Sequence, residues 1–354
     1  MKRKLILVMM SVAVIAGLWQ GYRLWIRSQP SLPVETAILS PDVQLSEFRL
    51  GNLTLGGQGD VYGSRGVALY RVVDNGERAD PLFTFDHRIS AIHERRDGLL
   101  IVATDDGRWE PEKPCRIYRS IDGGLNFEQI KTIEGGTVLW WSLDSDQNGR
   151  LYLAEYGPQK QGMSKTLWRS DNDGEDWKII YQAPDKNKVH LHRIAIDPYT
   201  DTLWLTMGDG KNRNMLRSSD HGDTWQQVDR LQSTAVVFSE DAIYWGRDKK
   251  GKPGVLRYDR DTQRFTNYFD PRDYGNYAGS IYDLVRLPSG DLIVPFMKYA
   301  DQSHISSVWR VGESGAQILL QLASEEGKGV AIETIAGPDN DGWVYWTGYQ
   351  FKAK

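Results

Sequence analysis

Three stretches of the 354-residue chain superimpose: Tyr118-Arg119-Ser120-Ile121-Asp122-Gly123-Gly124 followed by Phe127, Trp168-Arg169-Ser170-Asp171-Asn172-Asp173-Gly174 followed by Trp177, and Leu216-Arg217-Ser218-Ser219-Asp220-His221-Gly222 followed by Trp225. Each fits Ser-x-Asp/Asn-x-Gly-x-x-aromatic behind an apolar residue and an arginine, and the serines recur at separations of 50 and 48 residues. The Asp or Asn side chain accepts hydrogen bonds from amides of its own turn, and the glycine supplies a positive φ. The aromatic tucks the turn against its sheet. Three copies in phase, each between strand-like runs, predict one hairpin at the same place in a repeated unit.

Working outward, degenerate copies occupy equivalent places: Tyr70-Arg71 with Asp74-Asn75-Gly76, Leu256-Arg257 with Asp259, and Trp309-Arg310 with Gly312. A second pair of strand-like runs stands upstream of each hairpin. Examples are Arg88–Ile92 with Leu99–Ala103, Ser142–Asp144 with Leu151–Ala154, and Ile194–Ile196 with Leu203–Leu205. Four strands per unit of about 40–53 residues is a propeller blade. The chain ends after two strands of a unit, at Tyr349, and Val67–Val73 with Leu82–Phe85 read as the last two strands of another. Pairing the two termini closes a ring and removes the sheet edges. The fold class is therefore all-β: a six-bladed β-propeller, or a seven-bladed one if residues 45–59 supply strands of their own.

With 40% hydrophobic residues and 35 glycines, the chain can build a sizeable core of short strands and tight turns. A net charge of −4 without a basic stripe gives no reason to expect nucleic acid binding. Cys115 is the only cysteine, so no intramolecular disulfide forms. Residues 1–27 carry Lys2, Arg3 and Lys4 ahead of an apolar run from Leu5 to Trp19, which is a signal anchor or a signal peptide. Residues 28–44, with three prolines, read as a linker, and 45–354 as the propeller. The expected location is extracytoplasmic: tethered to the membrane by the N-terminal segment, or secreted if that segment is cleaved.

The three Ser-x-Asp/Asn-x-Gly-x-x-aromatic motifs resemble the BNR/Asp-box repeats of the sialidase superfamily, over roughly residues 60–350. That resemblance implies the propeller and says little about activity, because the repeat is shared by sialidases, other glycan-acting enzymes, sortilin-type receptors and photosystem assembly factors. Sialidases carry a Phe/Tyr-Arg-Ile-Pro motif, and the nearest text here, Phe48-Arg49-Leu50-Gly51, lacks its proline. The chain is not read as a sialidase. The stretch His190–Tyr199, running on to Thr206-Met207-Gly208-Asp209, resembles a subgroup of bacterial exported propellers associated with surface polysaccharide.

In a propeller the hairpin turns lie on one face, while the starts of the inner strands and the second-to-third-strand loops open on the other. This filter selects the candidate site. His190 and His192, at i and i+2, point the same way on a strand. They can serve as metal ligands, or as a general base with its orienting partner. Glu155 and Tyr156 end a second strand on that face, and Asp209 ends the corresponding strand one unit on. These five are the catalytic candidates. A Glu or Asp beside Tyr and His suits glycosidic hydrolysis, whereas a His/Tyr/Arg set suits proton abstraction from C5 of a uronate.

Arg88, Trp140, Trp141, Arg193, Arg247 and Lys298 are the substrate-binding candidates, with His304 a further member of the Lys298 loop. The adjacent tryptophans, on a strand, would face opposite sides, one in the core and one as a sugar platform. No cofactor is expected and no metal is assigned. Asp171-Asn172-Asp173-Gly174 resembles a calcium loop, but an EF-hand needs a glutamate about six residues beyond the glycine. The expected function is binding or cleavage of a cell-surface or exopolysaccharide glycan by a hydrolase or a uronate lyase. The alternative is a non-catalytic scaffold that binds a protein partner during envelope assembly.

Overall fold

The computed structural model describes residues 36–39, 43–45, 50–105, 113–157, 165–184, 189–249, 252–275, 279–296, 305–323, 334–346 and 349–352. Among the described residues the regular structure is antiparallel sheet, apart from three short 3-10 turns. Gly51–Leu55, Val61–Arg65, Ala68–Val73 and Arg78–Thr84 form the first blade. Arg88–Glu94, Leu100–Asp105, Cys115–Ser120 and Glu128–Ile133 form the second. Leu143–Ser145, Leu151–Ala154, Thr166–Ser170 and Lys178–Gln182 make the third. The fourth is Leu191–Ile196, Leu203–Met207, Asn214–Ser218 and Gln226–Asp229. Ser233–Phe238, Ala242–Arg247, Val255–Asp259 and Arg264–Phe269 follow as the fifth. The sixth is Val285–Arg286, Leu292–Phe296, Ile305–Gly312 and Gly315–Ala323, with Thr36–Leu39 as a fifth strand on its outer edge.

The last sheet joins the ends of the chain. Ile335–Ala336, Trp343–Trp346 and Tyr349–Lys352 come from the C-terminal part, and Val43–Leu45 adds the outer strand, pairing Val43 with Phe351 and Leu45 with Tyr349. Closure by terminal pairing is thus present. Of the two counts read from the sequence, the sheets give seven. Val61–Arg65 and Gly51–Leu55 complete the inner half of the first blade, whose outer strands are the Val67–Val73 and Leu82–Phe85 region. Those residues therefore do not pair with the C-terminal strands; Val43–Leu45 does.

Seven apolar clusters lie between consecutive blades, including one joining the seventh to the first through Leu50, Leu53, Val61, Ala336 and Tyr345. A second strand such as Leu203–Met207 is buried at every position, so it reads as an unbroken apolar run. Outer strands such as Lys178–Gln182 touch water and read as mixed.

The three hairpins have the predicted chemistry. Ser120, Ser170 and Ser218 hydroxyls accept the amides of Gly124, Gly174 and Gly222 at 2.9, 2.9 and 2.8 Å. Asp122, Asn172 and Asp220 accept those of Asn126, Asp176 and Thr224 at 3.0, 2.9 and 2.9 Å. The preceding arginines look forward around the ring: Arg119 donates to the Asp173 carbonyl and Arg169 to that of His221, at 3.2 and 2.6 Å. Each of these two units is thereby tied to the next hairpin.

Candidate functional site

On the opposite face, His190 directly precedes the fourth blade's inner strand and His192 lies within it, so their alternate positions put both rings on one side. The ring centroids are 4.5 Å apart and the two Nε2 atoms approach to 2.6 Å. Asp209 follows the second strand of the same blade, and its carboxylate oxygens stand 3.8 Å from His190 Nε2 and 3.6 Å from His192 Nε2. The preceding Gly208, at φ +70°, shapes this turn: a Cβ there would lie 2.3 Å from the Asn212 carbonyl oxygen. Gln232 Nε2 donates to Asp209 Oδ1 at 2.8 Å and holds the carboxylate from the fifth blade.

Tyr156 closes the cluster from the third blade. Its ring lies 4.6 Å from that of His190 and 6.2 Å from that of His192. Its backbone is clamped to Thr137 by two hydrogen bonds of 3.2 and 2.8 Å. Trp141 packs on Tyr156, and across the axis on Tyr282 of the segment leading into the sixth blade, with centroids 6.2 and 5.5 Å apart. The third and sixth blades are not neighbours, so this contact floors the central channel.

Burial dominates the electrostatics. His190 and His192 are 1% and 2% exposed. Desolvation holds His192 down to about 4, and holds His190 well below its usual value, with His192 and the buried Lys165 adding to the effect. Both imidazoles are neutral at pH 7.

The remaining candidates are distributed more widely. Glu155 is turned away from the histidines: it is 2% exposed and accepts from Trp168 Nε1 at 2.7 Å and from the Thr166 amide at 3.3 Å. Consecutive residues of an extended segment face opposite sides, so Tyr156 in the cluster places Glu155 inside the blade. Arg193 is likewise one residue out of phase with the histidines. It donates to the Thr234 carbonyl at 2.8 Å and lies 3.6 Å from Asp283, bridging blades.

Trp140 and Trp141 do not lie on a strand. They occupy the turn before Leu143–Ser145, are 9% and 6% exposed, and pack edge-on at 4.2 Å. Neither is an open platform, although Trp141 is part of the cluster. Arg88 is exposed at the start of the second blade. Arg247 ends the second strand of the fifth blade and is half-buried. Burial lowers its pKa against the pull of Asp270. Lys298 and His304 lie outside the described residues.

Sequence reasoning thus assembled His190, His192, Tyr156, Asp209 and Trp141. It assigned no role to Tyr282, Gln232 or Lys165. Tyr282 and Lys165 end two segments that the face rule selects, Gly279–Tyr282 and Glu155–Lys165; Gln232 enters only through contacts between strands distant in sequence.

No family model matches the chain. The vacuolar protein sorting/targeting protein 10 of Emericella nidulans is 24% identical over 252 residues, covering 63% of this chain and 17% of its own length. A GH74 xyloglucanase from Xanthomonas campestris has a TM-score of 0.63 at 15% identity, covering 86% of this chain and 52% of its own. YCF48 bound to D1 peptide has a TM-score of 0.56 at 14% identity and matches over 92% of this chain and 95% of its own. A chain of the mitotic checkpoint complex gives 0.58 at 11%, covering 92% of each chain. This chain therefore spans about a sixth of the fungal protein and about half of the xyloglucanase. At such identities the structures share the propeller fold. Fold and site together define a β-propeller with an imidazole–tyrosine–carboxylate cluster at the axial end of its non-hairpin face.

Proposed function

We propose that this is an exported Asp-box propeller, tethered through its N-terminal segment, whose axial face takes an anionic cell-surface or exopolysaccharide glycan and cleaves it by β-elimination. One observation carries the choice between the two glycan chemistries. Tyr156, His190 and His192 converge, whereas Glu155 is committed to Trp168 and leaves Asp209 as the one described carboxylate beside them. Glycosidic hydrolysis by the usual route needs two carboxyl groups flanking the bond. Elimination from a uronate needs a base for the C5 proton, a proton for the departing O4, and positive charge near the carboxylate. The C5–H electron pair becomes the C4=C5 bond as C4–O4 breaks. Tyr156 and the neutral imidazoles are the proton-handling groups, and Arg247 is a cation on the same face. The Asp-box assignment draws on the three hairpins, and the tether on Lys2–Lys4 ahead of Leu5–Trp19.

The purified full chain, incubated with neutral, sialylated and uronate-containing polysaccharides, should produce the ultraviolet absorbance of unsaturated uronates. Tyr156→Phe should lower that rate by about 10²–10⁴-fold. New reducing ends without absorbance would instead mark a hydrolase.

A second reading has its own observation. Trp141 and Tyr282 floor the channel, which also suits a partner docking across the face rather than entering it. Peptide-bound YCF48 has this fold. Absence of product from every polymer, with retained binding of an envelope protein to the full chain, would favour that scaffold.

A further inference from the structure

The geometry points to a divalent transition-metal site formed by His190 Nε2, His192 Nε2 and the Asp209 carboxylate, beside Tyr156. Three observations support it. First, the polar edges of the two imidazoles converge. Each Nε2 faces the other ring and the Asp209 carboxylate, so the three donor groups already point at one another. Second, the spacings suit a shared ion. Zinc–nitrogen bonds of about 2.0–2.1 Å in a tetrahedron put two donor atoms about 3.3 Å apart. Asp209 Oδ2 lies 3.8 Å from His190 Nε2 and Oδ1 3.6 Å from His192 Nε2, a little beyond that spacing, and the Nε2···Nε2 approach of 2.6 Å is shorter than it. An ion between them would draw the two rings apart and one Asp209 oxygen inward. Third, the carboxylate is oriented by Gln232 at 2.8 Å, the kind of support that fixes a ligating oxygen.

A second cluster, Asp146 with Asp201 and His221, has comparable spacing but different chemistry. Asp146 already accepts from Arg150 Nη1, the Tyr152 hydroxyl and the amides of Asn148 and Arg150, at 2.9–3.0 Å. A carboxylate filled in this way has no electron pair to give an ion.

Nitrogen donors with one carboxylate favour zinc, cobalt or nickel over calcium or magnesium. The part such an ion would play rests on the elimination proposed above: with both imidazoles ligating rather than moving protons, it would take the uronate carboxylate and leave Tyr156 to handle the proton. The existence of the site does not rest on that reading.

Cobalt(II) alone is the probe, added to the metal-stripped full chain and followed by visible absorption and titration calorimetry. One ion per chain is expected, with the bands of a low-coordinate nitrogen/oxygen site. Asp209→Asn, altering a side chain 28% exposed, should weaken binding at least tenfold without lowering the melting temperature of the apoprotein. His192→Gln should abolish the bands, and His221→Gln should leave them unchanged. No bound cobalt, binding unaffected by Asp209→Asn, or binding lost with His221→Gln would overturn the site. Binding as described, without elimination on any uronate polymer, would uphold the site and count against the proposed reaction.

Discussion

At the scale of single residues, the face a side chain takes decides whether it belongs to the site or to the scaffold. His192 and Arg193 are neighbours, yet one joins the axial cluster and the other bridges blades by way of Asp283. Alternation along an extended chain makes that split. The acids meeting Arg193 carry a measurable signature. Burial lifts the Asp283 carboxyl from 3.8 to about 6, with Arg193 opposing. Asp144, also near Arg193, is lifted to about 6 by burial. Between pH 4 and 6 the folded protein therefore holds a proton on Asp283 that the unfolded chain has released. The associated stability is complete below pH 4 and is lost as pH rises through 6. An asparagine in place of Asp283 would stay neutral, while Asp144 titrates in both proteins. Asp283→Asn should thus gain on the wild type by on the order of 2–3 kcal/mol between pH 4 and pH 7, read from urea midpoints. A difference that stays flat across that range would contradict the placement of the acid.

At the scale of elements, the hairpins are the part of the fold written most openly in the chain, because each is specified within eight or so residues by a hydroxyl, an acid or amide, and a glycine. Inner strands are legible as unbroken apolar runs. The first blade is harder to see: Gly51 and Gly63 fall in its inner strands, Gly56, Gly57 and Gly59 lie between them, and only a degenerate hairpin copy at Asp74-Asn75-Gly76 sets their phase. Half of the site was legible for a simpler reason, since His190-x-His192 follows one strand and needs only period two. Gln232 and the inward turn of Glu155 depend on packing between units, which local pattern does not encode. The hairpins also differ in how much they rely on the neighbouring unit. A Cβ on Gly222 (φ +96°) would meet Ile180 Cδ1 of the preceding blade at 2.5 Å, and one on Gly174 (φ +88°) would meet Ile130 Cδ1 at 2.4 Å. The equivalent Gly124 (φ +89°) would meet Leu82 Cδ1 of the preceding blade only at 3.2 Å. All three alanine substitutions incur the left-handed backbone cost of about 1–2 kcal/mol. Gly222→Ala and Gly174→Ala add overpacking, about 1–3 kcal/mol more. Equilibrium unfolding should therefore rank Gly124→Ala as the mildest of the three, and equal losses would remove the inter-blade contact as the cause.

At the scale of the whole molecule, a ring of sheets is only as closed as its last interface. The N-terminal strands make two separate ties there. Thr36–Leu39 pairs along the outer edge of the sixth blade, from Thr36 opposite Ala323 to Leu39 opposite Leu320. Val43–Leu45 then supplies the outer strand of the seventh, against Tyr349–Lys352. Without them the seventh blade keeps three strands, and an unpaired edge faces solvent. The blade still packs its inner strands against the first through Ala336 and Tyr345, so the ring should loosen rather than fall apart. Deleting residues 1–46 removes both ties, whereas deleting residues 1–33 spares them. The shorter deletion should leave the melting temperature of the folded body within about 1 °C of that of the full chain. The longer one should cost about 3 kcal/mol, or roughly 4–5 °C for a folded body of about 310 residues. A synthetic peptide spanning residues 34–46, added in excess, should restore part of the loss, because strand addition to an open edge needs only main-chain pairing and the right alternation of side chains. Equal melting temperatures for the two deletions would mean that the inner-strand contacts between the seventh and first blades hold the ring by themselves.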